Sequence, residues 1–187
     1  MLYNRKQSYT PPLEPYEFDS RALLIDTETV GAGSAVEIVE IALCDREGRL
    51  VFDSLVRPLY NSLPRSSKEQ RFAAAEFAAA PEWNDIWPEL SALIGNRLLV
   101  AYNAAFDRRA LAATCSRYRQ QSAERGWRCA MQFVKRAAGV RKNLMLGEAC
   151  RRFGLEGGNH RAARDVLATH RLLDGIISGG SSLSGDA

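Results

Sequence analysis

The chain has 187 residues, enough for one domain with a sizeable hydrophobic core. Its hydrophobic content of 46% and charged content of 25% are those of a globular protein, and no apolar run approaches the roughly 20 residues of a membrane-spanning helix. The net charge of +3 is unevenly distributed: residues 97–164 carry 15 Lys and Arg but 4 Asp and Glu. This asymmetry is consistent with a polyanionic partner and equally with a solvated Arg-rich surface.

The two ends of the chain differ in composition from the middle. Residues 1–20 contain several prolines and predict an extended arm, and residues 178–187 form a Gly/Ser-rich tail that we expect to be disordered. The domain is therefore placed at 21–177. Its four cysteines are scattered and form no C-x-x-C pair, which indicates reduced thiols and a cytoplasmic protein.

The predicted elements run from strands to alternating helices and strands. Alternation and short apolar runs predict strands at 22–26, 35–45, 49–58 and 97–102, and a short strand feeding a helix within 126–138. Helical spacing and end signals predict helices at 66–80, 82–95, 104–118, 145–154 and 161–177. A meander followed by alternating helices and strands predicts an α/β fold, with helices covering a mixed sheet.

Two acids end the first strand, in "LLIDTET". Asp26 and Glu28 lie two residues apart, so their side chains point to the same side of a strand. Like charges so close raise a pKa or require a cation, and carboxylate oxygens suit a hard divalent ion. The alternative is a strand end whose acids are simply solvated.

The stretch "AYNAAFD" marks a strand-to-helix junction. In a structural interpretation Asn103 caps the helix and Asp107 complements its dipole. In a functional interpretation Asp107 faces the strand end that carries Asp26.

The stretch "GGNHRAARD" combines a glycine loop, a histidine and a helix start. Residues five apart on a helix are roughly 140° from each other, so His160 and Asp165 cannot share a helical face. If both serve one site, His160 must precede the helix, on the loop of Gly157 and Gly158, while Asp165 lies inside the helix. The second histidine, His170, falls within that helix and is interpreted as structural.

Together, "IDTET", "VAYNAAFD" and "NHRAARD" resemble the three motifs of the DnaQ-like (DEDDh) 3′→5′ exonuclease superfamily, over about residues 22–177. The segments "LVAYNAAFDRR", "WRCAM" and "LGEACRRFG" are most similar to its exonuclease X-like branch. The resemblance implies an RNase H-like fold, a five-stranded mixed sheet with helices on both faces.

The resemblance also implies a set of site residues. Asp26, Glu28, Asp107 and Asp165 would hold two Mg²⁺ or Mn²⁺ ions, and His160 would be the general base. Glu28 would also take part in catalysis. Substrate contacts are expected from Thr27, Thr29 and Asn103, with Thr29 near the 3′ end. Phe106 is expected to pack in the core, and Tyr102 departs from the family in standing where a histidine is common.

The function implied is metal-dependent removal of 5′-nucleotides from the 3′ end of nucleic acid, with single-stranded DNA favoured over RNA. Two phosphate-activating metals and a histidine that titrates near neutral pH are what phosphodiester hydrolysis needs. The alternatives within this activity are a 3′→5′ exoribonuclease and a proofreading subunit docked on a DNA polymerase, in DNA repair or replication. A homodimer is also compatible with it. The competing hypothesis is an inactive nucleic-acid-binding module, which would have lost an acid or the histidine.

Overall fold

A computed structural model describes residues 19–59 and 74–180. The predicted arm up to residue 18, the first part of the helix predicted at 66–80 and the last residues of the tail lie outside the described residues. In the described part of the chain no helix is long and apolar enough to cross a membrane. The four cysteines, which all lie in the described part, form no disulfide.

The elements follow the predicted order. The strands are β1 (Leu23–Val30), β2 (Glu37–Cys44), β3 (Leu50–Leu55), β4 (Leu98–Ala101) and β5 (Gly126–Cys129). The helices are α1 (Ala74–Ala78), α2 (Trp83–Ile94), α3 (Ala104–Arg117), α4 (Ala130–Ala137), α5 (Leu146–Arg152) and α6 (Ala162–Gly180), with one short turn of 3-10 helix at Gly33–Ala35.

The strands form one five-stranded sheet in the order β3-β2-β1-β4-β5. β1, β2 and β3 make an antiparallel meander, and β4 and β5 add in parallel to the other side of β1. β1 therefore lies in the middle of the sheet. Because its residues alternate between the two faces, even-numbered and odd-numbered side chains enter different cores.

Helices cover both faces. Leu24 and Val100 pack with α4, α5 and α6 on one face, whereas Ile25 and Leu99 pack with α2 and α3 on the other. The predicted RNase H-like arrangement, a mixed sheet between two layers of helices, is confirmed.

Two elements extend beyond their predicted ends, while others end earlier than predicted, such as β3 at Leu55 instead of residue 58. β1 does not end at residue 26 but continues to Val30, because β2 supplies partners as far as Val30, with Asp26 opposite Ala42 and Glu28 opposite Glu40. α6 does not end at residue 177 but continues to Gly180. Extending a formed helix adds a hydrogen bond at each residue, so weak helix formers at its end are carried along.

Candidate active site

Asp26 and Glu28 lie inside β1 and point toward α6. Strand alternation places them on the face that carries Leu24, which belongs to the core under α6. The pairing of β1 with β2 shifts register directly after Glu28. Asp26 and Glu28 therefore share one side of β1, as strand alternation predicts. They lie within the strand and not at its end.

Asp107 reaches the same strand from the opposite helical layer. Its Oδ1 accepts hydrogen bonds from the Thr27 backbone N–H, at 3.0 Å, and from Thr27 Oγ1, at 2.9 Å. Burial raises the pKa of Asp107 to about 6, although the hydrogen bonds from Thr27 act in the other direction. The first turn of α3 thus faces β1, as the functional interpretation requires. Asn103 holds the N-cap position without a side-chain capping bond, which corrects the structural interpretation.

A hydrogen bond joins His160, just before α6, to Asp165 in the first turn of that helix. His160 precedes the helix, as helical periodicity predicts, and has a positive φ of 61°. Its backbone N–H donates to Asp165 Oδ1 at 3.1 Å. Gly158 lies against the same carboxylate, so closely that a Cβ there would be 2.5 Å from Asp165 Cγ. The His160 side chain is exposed and the Asp165 side chain is buried, so the turn presents an accessible ring beside a fixed carboxylate.

Three of these groups lie close together. Ligand atoms of Glu28, His160 and Asp165 all lie within 4.8 Å of one another. The pKa of Asp26 is raised well above its usual range, first by burial and then by the surrounding carboxylates Asp107, Asp165, Glu28 and Glu40. Several carboxylates that repel one another in a poorly solvated place take up protons or bind a compensating cation. The oxygen-rich donor set fits a hard divalent ion.

The carboxylates open onto a cavity of about 750 Å³. Its lining extends from the acids to the start of α5 and comprises Asp26, Thr27, Glu28, Tyr102, Asn103, Phe106, Asp107, Met131, Leu144, Met145, Leu146, Gly147, Glu148, Arg151, Gly158, His160 and Asp165. All four predicted metal-binding acids and the predicted base therefore share one cavity.

A family comparison agrees with this geometry. The exonuclease family model (RNase_T) matches residues 23–173, which is most of the chain and contains every site residue above. The chain belongs to the exonuclease family.

Individual relatives place this exonuclease more closely. It is 30% identical over 176 residues to "Uncharacterized exonuclease CP81" of Escherichia phage 186, covering 86% of this chain and 90% of the relative. It is 31% identical over 163 residues to Exodeoxyribonuclease 10 of Escherichia coli K12, covering 83% and 68%. Its fold is similar to the structure "Exonuclease X in complex with 5′ overhanging duplex DNA", with a TM-score of 0.61, 29% identity and coverage of 85% and 93%. These matches confirm the DEDDh superfamily and 3′→5′ exonuclease activity.

The predicted substrate contacts have different surroundings. Asn103 is exposed on the cavity wall. Thr27 is buried, at 4% exposure, and its hydroxyl donates to Asp107, so it supports a site residue directly. Thr29 follows the register shift of β1 and is not part of the cavity lining. Contacts of these residues with substrate stay a prediction.

Sequence reasoning missed several cavity residues of this exonuclease. The expectation that Phe106 packs in the core was wrong: it is 38% exposed at the cavity, because α3 turns this position outward while Asp107 turns inward. Met145 is 70% exposed and also lines the cavity. Arg151 of α5 also lines the cavity. The one sequence signal for Phe106 was its position directly before the motif acid Asp107. No comparable sequence signal singles out Met145 or Arg151.

Proposed function

We propose that this exonuclease degrades single-stranded DNA from its 3′ end in the cytoplasm, releasing 5′-mononucleotides with the help of two Mg²⁺ or Mn²⁺ ions. The observation that carries the proposal is the meeting of Asp26, Glu28, Asp107, Asp165 and His160 in one cavity. The name Exodeoxyribonuclease 10 and the duplex DNA of the Exonuclease X complex support DNA over RNA, whereas the choice of single strands rests on the cavity.

The four carboxylates would hold the cations. When bound, divalent cations polarise the phosphoryl group and lower the pKa of water. The chain fixes two of these carboxylates in advance: Asp107 by its bonds from Thr27, and Asp165 by the His160 amide. Such preorganisation limits the reorganisation that the reaction would otherwise require.

His160 would act as the general base. Its side chain is exposed at the cavity and its ring lies within 4.8 Å of the Glu28 and Asp165 carboxylates. An imidazole titrates close to neutral pH and can take the proton of the attacking water. The water oxygen then bonds to phosphorus, the P–O3′ bond breaks, and the leaving oxygen is protonated to give a new 3′-OH and a 5′-mononucleotide.

The apolar part of the cavity would receive unpaired bases. Phe106 and Met145 expose 38% and 70% of their surface there, a strong exposure for such large apolar side chains. Every base has a face that stacks on an aromatic ring, so this contact tolerates any sequence. A base must leave its duplex partner to enter a cavity, which favours a single-stranded 3′ end.

The decisive experiment follows 5′-labelled DNA and RNA oligomers of identical sequence on a sequencing gel. With Mg²⁺ or Mn²⁺ we expect a ladder of DNA products shortened from the 3′ end, no products in EDTA, and slower attack on RNA. A 3′-phosphorylated oligomer serves as the polarity control. Equal or faster degradation of RNA would establish an exoribonuclease instead, and the absence of any ladder would refute the proposal.

A variant of His160 tests the proposed base. His160→Ala should fold normally, since the ring is exposed, but lose most of its activity near neutral pH. A general base contributes roughly 10²–10⁴-fold to a rate. Full activity in this variant would remove His160 from the mechanism.

A further inference from the structure

A glutamate outside the three motifs lies next to the site. Glu40 of β2 is 2% exposed, and its Cα partner across the antiparallel pair is Glu28 of β1. Directly opposed residues of such a pair point to the same face, so both glutamates face α6. Opposed like charges are destabilising unless each has its own partner. The partners of Glu40 therefore bear directly on the site that contains Glu28.

Both oxygens of Glu40 bind the start of α6. Oε1 accepts a hydrogen bond from Arg161 Nε at 2.8 Å, in an ion pair that is largely buried on the glutamate side. Oε2 accepts from the backbone N–H of Ala162 at 2.9 Å. Ala162 is the first residue of α6, where backbone N–H groups have no partner within the helix. The Glu40 carboxylate thus caps α6 and holds the Arg161 side chain just before the helix.

The two anchored residues form the middle of the turn that carries the site. Arg161 follows His160 directly, and its carbonyl accepts from the Asp165 N–H at 2.9 Å. Asp165 Oδ1 in turn accepts from the His160 N–H. His160 adopts a positive φ, a conformation that costs energy for a residue other than glycine and persists only when its surroundings hold it. Glu40 provides such a hold from the neighbouring strand.

We infer that Glu40 is a positioning residue for the reaction: by fixing Arg161 and Ala162 it sets the places of the His160 ring and the Asp165 carboxylate relative to Glu28. The inference rests on the proposed function of this site. Glu40 is absent from the cavity lining, and each of its oxygens accepts a bond from the start of α6, so we assign it to holding the turn rather than to binding the cation. Partners that orient metal ligands typically matter by roughly 10–100-fold in metal affinity or activity.

The test uses two buried glutamates of the same strand. Glu40→Gln keeps the side-chain volume and an oxygen for Ala162 but ends the ion pair with Arg161. Glu37→Gln is the matched control: Glu37 is 3% exposed and forms an ion pair with Arg117 at 3.2 Å, away from the cavity. Urea unfolding measures what each change does to stability.

The readouts separate positioning from folding. For Glu40→Gln we expect kcat to fall roughly 10–100-fold with little change in KM, and Mn²⁺ binding measured by calorimetry to weaken about 10-fold. Hydrogen exchange at the Ala162 and His160 amides of the metal-free protein should accelerate. Glu37→Gln should change stability without these effects. If Glu40→Gln does not fold, Arg161→Gln removes the same ion pair from its more exposed side and should show the same pattern.

If Glu40→Gln matches Glu37→Gln in kcat, Mn²⁺ binding and amide exchange, the inference is overturned. Failure of the proposed function looks different, because the wild-type protein would then be inactive on every oligomer. The amide exchange of the metal-free protein would still report whether Glu40 holds the turn.

Discussion

Replacing Gly158 by alanine should damage the site far more than the fold. The added Cβ would lie 2.5 Å from Asp165 Cγ and 3.1 Å from its Cα, whereas carbon atoms in contact need about 3.5 Å. The carboxylate or the loop must therefore move by about 1 Å, a displacement that can cost roughly 100-fold in rate. Overpacking of this kind costs about 1–3 kcal/mol of stability.

The neighbouring Gly157 offers a matched control. A Cβ at Gly157 would lie 3.0 Å from Gly147 Cα of α5 and would not meet Asp165. Single-turnover rates on a labelled oligomer, Mn²⁺ calorimetry and urea unfolding should be measured for Gly158→Ala and Gly157→Ala. We expect a loss near 100-fold for the first and a loss below about threefold for the second. Comparable rates in the two variants would refute the reasoning.

Three further predictions concern the surroundings of the acids. Thr27→Val removes the hydroxyl bond to Asp107 while the backbone bond remains, so single-turnover rates should fall about 10-fold, and a change below twofold would contradict a supporting role. Arg151→Gln should raise KM and reduce the slope of log K against log salt concentration by about one, the value for one phosphate contact. The adjacent Arg152, which donates to the Ala138 carbonyl, should tolerate the same change. Identical salt slopes for the two variants would exclude a phosphate contact by Arg151. The pKa of Asp107, raised to about 6, predicts that in EDTA the folded state loses stability as pH rises from about 4 to 6, because it binds this proton more tightly than the unfolded chain does. Asp107→Asn should therefore be more stable than wild type above pH 6 in chemical denaturation. Equal stabilities would argue against a raised pKa of Asp107 in the folded protein.

Local periodicity explains why much of the site was predictable. The two-residue repeat of a strand predicts that Asp26 and Glu28 share a face, and the 3.6-residue repeat of a helix predicts that His160 must precede α6. Both relations depend on neighbours in sequence and hold in the structure. The placement of Asp107 toward β1 needed the family resemblance, because its contact with Thr27 spans 80 residues.

Contacts between distant segments were not predictable from pattern. Glu40 belongs to an alternating strand, and nothing in its local sequence distinguishes it from Glu37; its partners at 161 and 162 become neighbours only when α6 packs on the sheet. The outward direction of Phe106 depends in the same way on how α3 is rotated. The extension of β1 to Val30 required the pairing with β2, which no single strand reveals.

The most direct test of the central claim compares two aspartates of α6. Asp165→Asn removes a carboxylate of the cavity, while Asp174→Asn changes an exposed aspartate of the same helix outside the cavity. The measurement is laddering of a 5′-labelled DNA oligomer in Mg²⁺, with folding checked by circular dichroism. We predict that Asp165→Asn folds but produces no ladder, and that Asp174→Asn degrades the oligomer from its 3′ end at the wild-type rate. Wild-type laddering by Asp165→Asn would contradict the assignment of this cavity as the active site.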